Sequence, residues 1–412
     1  MRLPLAIAAL ALSSCTFQAK DDSDDARDTG TVAAADGEDG ADGTGGADGA
    51  DGADGADGTD GADGTDGADG TDGTDGTDGS DGEDGTDGTS GDPCPSGVTC
   101  VSSFPYSTRS TTTGAASDRF DRYACASGTD ESGPEVIFEV RLPDDGFLAL
   151  DLPQGSMASG ADIDLHLLGS LDSADCLDRG HWRAGDYLTA GTYYVVADTW
   201  VSGSGAEQDG AFELTMGFTS VGDLVAEGMD ASVADKGLYA FGEAWAGGDT
   251  DGFAYAITDF SLRSDSRRQW VLDLSTGALM WKLHVAHGEG SSRASDSRWA
   301  ETFSNTDGSH QSSLGMLKAA ETYTGTYGYS VRLDGLEPGY NSNARSRYIV
   351  VHPWGGSRPA YVSAYGETAP TWGCPALDDA VSTDVVDFLA DGGLLFFWYP
   401  DGDWSNRSSY LP

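Results

Sequence analysis

From residue 94 onward, apolar positions come in short runs broken by Gly, Asp and Ser. The runs at 136–140, 146–150, 163–168, 192–196 and 212–216 predict short strands at regular spacing, the pattern of a β-sandwich over 94–219. At 221 the period changes. Leu224, Val225, Met229, Val233, Leu238, Phe241 and Trp245 fall roughly on one helical face, which predicts a helix from Val221 to about Trp245. Strand-like runs return at 253–260, 269–274, 278–286 and 347–352, with a helix at 381–389 and a last strand at 394–399. The fold class is mainly β: a sandwich, then a β-rich domain with a few helices over 221–412.

The first 93 residues have another pattern. Arg2 precedes a short apolar run at 3–12, then Ser13, Ser14 and Cys15. This reads as a secretory signal rather than a spanning helix. Small residues before a Cys resemble a bacterial lipoprotein signal, which implies a signal peptide at 1–14 and a lipid on Cys15. Ordinary export with cleavage near Ser14 is the alternative. The resemblance implies anchoring in the cell envelope, and Thr16 after the Cys favours the outer membrane, facing the periplasm. From Gly37 to Gly91 every third residue is Gly, nineteen in a row, mostly followed by Thr-Asp or Ala-Asp. Gly-X-Y is the collagen period. The repeat holds no Pro, and three such chains would align like charges, so low hydrophobicity and high charge predict a long disordered N-terminal linker over 15–93. A triple helix would instead make the protein a trimer; otherwise the oligomeric state is open.

Charge sharpens this division. The chain has 412 residues and a formal net charge of −47. Residues 15–93 hold 25 acids against 2 bases, and residues 94–412 hold 44 against 19. Such a surface repels phosphates and excludes nucleic acid as a partner. No segment after residue 15 reaches the roughly 18 apolar residues of a spanning helix.

Cys94, Cys100, Cys125 and Cys176 fall within the sandwich. In an oxidising compartment four Cys allow three pairings; proximity favours Cys94–Cys100 and elimination leaves Cys125–Cys176. The run 185–198, together with Ile163-Asp164-Leu165 and 209–214, resembles the bacterial pre-peptidase C-terminal (PPC-like) domain. That resemblance implies a module that accompanies an enzyme and lacks chemistry of its own, either binding wall or glycan or acting as a spacer. Lone His166 and His181 in strand patterns are read as hydrogen-bonded rather than metal-ligating.

Cys374 is left over, in Trp372-Gly373-Cys374-Pro375-Ala376, and His352 ends the apolar run 22 residues earlier. A Cys nucleophile needs a base, because the thiolate attacks. Gly373 lets backbone approach an acyl group, and N–H groups around the Cys can hold an oxyanion. Around this pair stand, in order, Val285-Ala286-His287-Gly288, Gln311-Ser312-Ser313-Leu314-Gly315, Tyr327-Gly328-Tyr329, Asn341, Ala344, Arg347 and Tyr361-Val362-Ser363. The string over roughly 250–400 closely resembles the murein L,D-transpeptidase catalytic domain (YkuD-type superfamily).

The resemblance implies a β-rich fold in which Cys374 attacks the stem peptide of peptidoglycan and His352 is the base. Thr371 takes the family's Ser or Thr position, Gly373 and Cys374 supply oxyanion N–H groups, and the Pro353 carbonyl holds the His352 tautomer. Pro353 replaces the usual Gly after the His, and Ala369-Pro370-Thr371 stand where an Arg is usual. The implied chemistry is release of D-Ala through a thioester, then transfer to an amine (a 3–3 cross-link), to water or to a protein amine. It requires no metal and no cofactor. His284 and His287, three apart in a strand pattern, point to opposite faces, which disfavours a zinc site. His287 and His310 are read as lining or bracing the cleft. Arg332, Asn341 and Arg347 are candidates to hold a stem carboxylate, or for structural ion pairs. Trp372 is read as packing or as a wall of the donor site. The alternative function is a non-catalytic wall-binding lipoprotein with a degenerate transpeptidase fold.

Overall fold

A computed structural model of the chain describes residues 94–153 and 155–412. The signal segment 1–14, Cys15 and the glycine repeat lie outside the described residues. The described chain is mainly β with few helices.

The sandwich pairs a five-stranded sheet, in the order Val98–Val101, Val136–Leu142, Gly191–Thr199, Ile163–Leu168, Cys176–Gly180, with a four-stranded sheet. The latter runs Tyr106–Thr111, Ala211–Ser220, Gly146–Asp151, Arg183–Leu188. Gly146–Asp151 reads as a nearly continuous apolar run because both of its faces are covered. In Gly146–Asp151, Leu148 and Leu150 point into the sandwich core, while Phe147 and Ala149 join the core of the following domain. In Ile163–Leu168, Ile163, Leu165 and Leu167 face the sandwich core. Leu168 instead packs with Phe120, Tyr123, Ile137 and Val196 beneath an outer loop. Disulfides join Cys94 to Cys100 and Cys125 to Cys176, the second pinning that outer loop to the sheet.

A buried polar cluster lies under the same loop. His166 stacks on Tyr123 at 3.5 Å, and Tyr123 donates a hydrogen bond to Asp198. Arg179 reaches Asp164 and, at 3.5 Å, Glu131. Burial and the Asp164 carboxylate raise Glu131 well above the carboxylate range, burial pushes Asp198 up to about 8, and burial pushes His166 down to about 3. The raised acids carry protons in the fold that the unfolded chain gives up. Their contribution is full below the ordinary carboxylate range and is lost as pH rises through the folded values. The depressed His166 works the other way, losing stability as pH falls from about 6.5 toward 3. Melting is expected to peak in mild acid and to fall by at least about 5 °C between pH 5.5 and 9. Glu131→Gln should flatten the alkaline arm in calorimetry, and equal melting at the two pH values would contradict the assignment.

The expected helix from 221 is two helices, Val221–Ala226 and Ala231–Ala246. Gly228 takes a left-handed φ of 79° between them, and the Asp230 side chain caps the second helix at the Ser232 and Val233 N–H groups. The second helix is the joint between the two β assemblies. Its Phe241 meets the edge of the Phe147 ring at 4.7 Å, Gly242 lies against Tyr187, and Tyr255 donates to the Gly237 carbonyl at 2.7 Å. Sandwich and β-rich domain thus share core rather than hanging on a linker.

The β-rich domain is built on a seven-stranded sheet. Its order is Ala278–Leu283, Gln269–Asp273, Ala254–Asp259, Leu394–Trp398, Gly315–Gly325, Gly328–Gly335, Val350–Val351. Leu394–Trp398 is central and buried throughout, with helices Ala231–Ala246 and Ser382–Leu389 packed on the sheet. The expected strand at 347–352 shrinks to Val350–Val351 at the sheet's edge. Arg347 is drawn into a loop by its hydrogen bonds, and Tyr348 adopts a left-handed φ of 58°, so extended pairing starts only at Val350.

Candidate active site

The loop carrying Cys374 is closed by one hydroxyl. The Thr371 Oγ1 donates to the Cys374 carbonyl (2.8 Å) and accepts the Gly373 N–H (3.2 Å). A side chain that both donates and accepts is needed, which is why Ser or Thr suits the position. The Thr371 backbone is clamped as well: its N–H donates to the His287 carbonyl (3.0 Å) and its carbonyl accepts from Glu289 N–H (2.7 Å). Gly373 sits at φ 116°, and a Cβ there would meet the Gln311 carbonyl oxygen at 2.7 Å. Glycine is required on both counts.

Three residues beyond Cys374 the loop meets the chain at His352, just past the edge strand Val350–Val351. Leu377 N–H donates to the His352 carbonyl (3.0 Å), and Trp354 N–H donates to the Leu377 carbonyl (2.7 Å). Cys374 is the free cysteine among the described residues. Its thiol donates to the Tyr348 carbonyl (3.5 Å), and the Val350 N–H is aimed at the same sulfur. The loop therefore runs along the edge strand, with the sulfur at 348–350 and Leu377 at 352.

His352 is 3% exposed. Its Nδ1 lies 2.9 Å from the Pro353 carbonyl oxygen, which only accepts, so Nδ1 carries the proton and Nε2 is the basic nitrogen. Pro in place of Gly after the His therefore leaves the orienting carbonyl intact. Tyr327 stacks on the ring at 4.6 Å, and Trp354 presents an edge to it. Burial holds the imidazole below its usual range, hence neutral at pH 7. Cys374 keeps some surface, but its sulfur is desolvated by the chain around it, and this pushes the thiol up to about 11. Both groups therefore rest uncharged at neutral pH, the sulfur as a thiol and His352 as an imidazole.

The remaining expected site residues divide. Trp372 is 44% exposed beside the nucleophile, its indole stacked on His310 at 4.2 Å, and His310 Nδ1 is 2.7 Å from Glu289. This stacked pair stands beside the loop that carries Cys374. His287 is 2% exposed; it accepts from Arg268 at Nδ1 (2.8 Å) and donates from Nε2 to Ser292 (3.1 Å), so it braces the loop and does not meet substrate. Asn341 is fully buried and spends its amide on the Leu314 and Met316 carbonyls and the Glu337 N–H, which rules out a carboxylate contact. Arg332 is opposite Val350 in the edge ladder, but its side chain pairs with Glu321 and lies over Tyr323. Arg347 is buried beside the nucleophile loop and bonded to the 304–313 segment. Of the two expected oxyanion donors, Gly373 N–H is engaged by Thr371 in this state. Tyr348, whose carbonyl receives the thiol, and Tyr327, which fixes the imidazole face, were not expected. Nothing in an apolar run announces a left-handed tyrosine.

The free Cys374 thiol thus lies alongside the edge strand, against the Tyr348 carbonyl, and the oriented imidazole of His352 follows that strand. Residues 226–398 match the family model of the L,D-transpeptidase catalytic domain, from the end of the first short helix to the end of the central strand; this segment is a domain of that family. Residues 34–98 match the collagen triple helix repeat (20 copies). No curated protein matches the chain. Among solved structures, the chain is similar to the pre-peptidase C-terminal domain of a collagenase from Bacillus anthracis, at 12% identity, 30% of this chain, 99% of that chain and a TM-score of 0.21. It is also similar to PliG of Aeromonas hydrophila, a periplasmic inhibitor of g-type lysozyme, at 11% identity, 30% of this chain, 97% of that chain and a TM-score of 0.20.

Proposed function

We propose that the protein is a cysteine-nucleophile L,D-transpeptidase of peptidoglycan stem peptides, held in the cell envelope by a lipid on Cys15 and facing the periplasm. His352 Nε2 takes the thiol proton as the Cys374 sulfur bonds to the carbonyl carbon of the third stem residue. The C–N bond to the terminal D-Ala breaks, and the imidazolium returns its proton to the leaving amine. In this reading the Cys374 N–H holds the developing oxyanion, joined by Gly373 N–H when Thr371 releases it. An amine acceptor then gives its proton to His352, attacks the thioester and frees the thiol, forming a 3–3 link; water in its place releases a tripeptide.

The observation that carries this reading is the free Cys374 thiol alongside the strand whose His352 is fixed as the Nδ1–H tautomer by Pro353. A second reading, wall binding without turnover, draws on the thiol resting on the Tyr348 carbonyl and on the Gly373 N–H being taken. Incubation with a disaccharide-tetrapeptide separates them. Transpeptidation predicts D-Ala release and tripeptide or dimer products that vanish in Cys374→Ala. Retained binding with no release from folded wild type would support the second reading.

A further inference from the structure

The site buries a guanidinium that this acyl-transfer scheme leaves unused. Arg347 is 9% exposed. One terminal nitrogen donates to the Ser304 carbonyl (2.6 Å) and the Ser313 hydroxyl (2.9 Å), the other to the Ser309 hydroxyl (3.2 Å) and the Gln311 carbonyl (2.6 Å). All four acceptors are neutral. Among the described residues no ion pair ties Arg347 to a carboxylate; Asp307 acts on it only through space. A charge taken out of water without a counter-ion is costly to the fold. Its surroundings therefore call for an anion that forms during the reaction.

The sulfur is in position to be that anion. Arg347 precedes Tyr348, whose carbonyl receives the thiol proton. The Gln311 carbonyl bonded to Arg347 is the same atom that lies 2.7 Å from where a Gly373 Cβ would stand. The guanidinium thus bridges the two segments that flank Cys374. The other titratable groups around the nucleophile are His352, neutral in its burial, and the His310–Glu289 pair behind Trp372. Arg347 is the cation whose field reaches the sulfur.

We propose that Arg347 is a positioning residue that holds the 304–313 loop against the nucleophile loop and serves as counter-charge to the Cys374 thiolate. The proton passes from Sγ to His352 Nε2, and the negative charge left on sulfur is met by a guanidinium already in place, without reorganisation. When the sulfur enters the thioester the charge disappears, and Arg347 keeps its neutral acceptors throughout.

The assignment rests on Cys374 being the nucleophile, but its test reads the thiol itself and needs no turnover. Iodoacetamide labelling of Cys374 is followed against pH in the full chain, beside melting curves. Arg347→Gln is expected to raise the labelling midpoint by about one pH unit, which is about tenfold slower labelling below the midpoint. Arg347→Lys should keep the midpoint near wild type. The Ser309→Ala/Ser313→Ala double variant, which loosens the clamp and keeps the charge, should also leave it unmoved. A wild-type midpoint in folded Arg347→Gln overturns the proposal. A shift in the double serine variant as large as that in Arg347→Gln also overturns it, reducing Arg347 to a clamp. If Arg347→Gln does not fold, the Lys and double serine variants decide: a raised midpoint in either counts against the counter-charge.

Discussion

Replacing His352 with alanine is expected to lower the rate of stem-peptide cleavage by about 10²–10⁴-fold, the range that a positioned general base contributes. The size of the effect follows from the resting state. Desolvation pushes the Cys374 thiol up to about 11, so at neutral pH about one sulfur in 10⁴ would be ionised on its own. In the proposed scheme turnover then depends on a base that removes the proton during attack, the role assigned to buried, neutral His352. The pH profile carries a second signature. Activity should fall as pH drops through the His352 value, which lies below the usual imidazole range, so wild type retains activity in mildly acidic buffer. In His352→Ala the residual rate should climb with hydroxide up to the thiol's own titration. Steady-state rates between pH 5 and 10 test both points. A variant within about threefold of wild type at pH 7 would remove His352 from the mechanism.

Gly373→Ala should come second in size, with activity falling about 10²-fold or more while the fold survives. The φ of 116° lies where side chains are rarely accommodated, and the added Cβ would stand 2.7 Å from the Gln311 oxygen and 3.0 Å from Ile349 Cδ1. Strain of this kind costs on the order of 1–3 kcal/mol. Relief requires the loop to shift, and a displacement of about 1 Å at a reacting group is enough for a loss near 10²-fold. The loop is clamped at Thr371 and Leu377, so the shift falls on the residues between, Cys374 among them. Melting should drop by only a few degrees, since the sheet core is untouched. Full activity in Gly373→Ala would mean that the close approach to Gln311 has no part in placing the sulfur.

The residues differ in how plainly the sequence announces them. Leu394–Trp398 is visible because a continuous apolar run of that length suits a strand covered on both faces, and Ile163–Leu168 because Ile163, Leu165 and Leu167 alternate with Asp164 and His166. The Thr371, Gly373, Cys374 and His352 set is visible because each position demands one chemistry: a hydroxyl that closes a turn, a left-handed residue, a thiol, a base. Asn341, His287 and Arg347 have side chains able to meet a carboxylate, yet all three are engaged by backbone and neighbouring groups in the interior. A polar residue's partner depends on which segments tertiary folding brings together, and spacing along the chain does not encode that. The shortened edge strand has the same origin. The apolar run that follows suggests a strand reaching back to 347, but the bonds from Arg347 to the 304–313 segment turn the chain, and Tyr348 takes the left-handed φ. The helix break at Gly228 carried a signal of its own, since Gly followed two residues later by Asp is a C-cap and then an N-cap, and the apolar period ran straight over it.

The central claim is that the Cys374 sulfur takes the acyl group. Intact-mass spectrometry of the protein mixed with a tetrapeptide stem lacking an acceptor amine, quenched in acid within the first turnover, reads this directly. The account predicts a species heavier by the stem minus D-Ala, hydroxylamine-labile and mapped by peptide sequencing to residue 374. An unmodified Cys374 in folded protein that nonetheless releases D-Ala, or an acyl group found on any other residue, would contradict it.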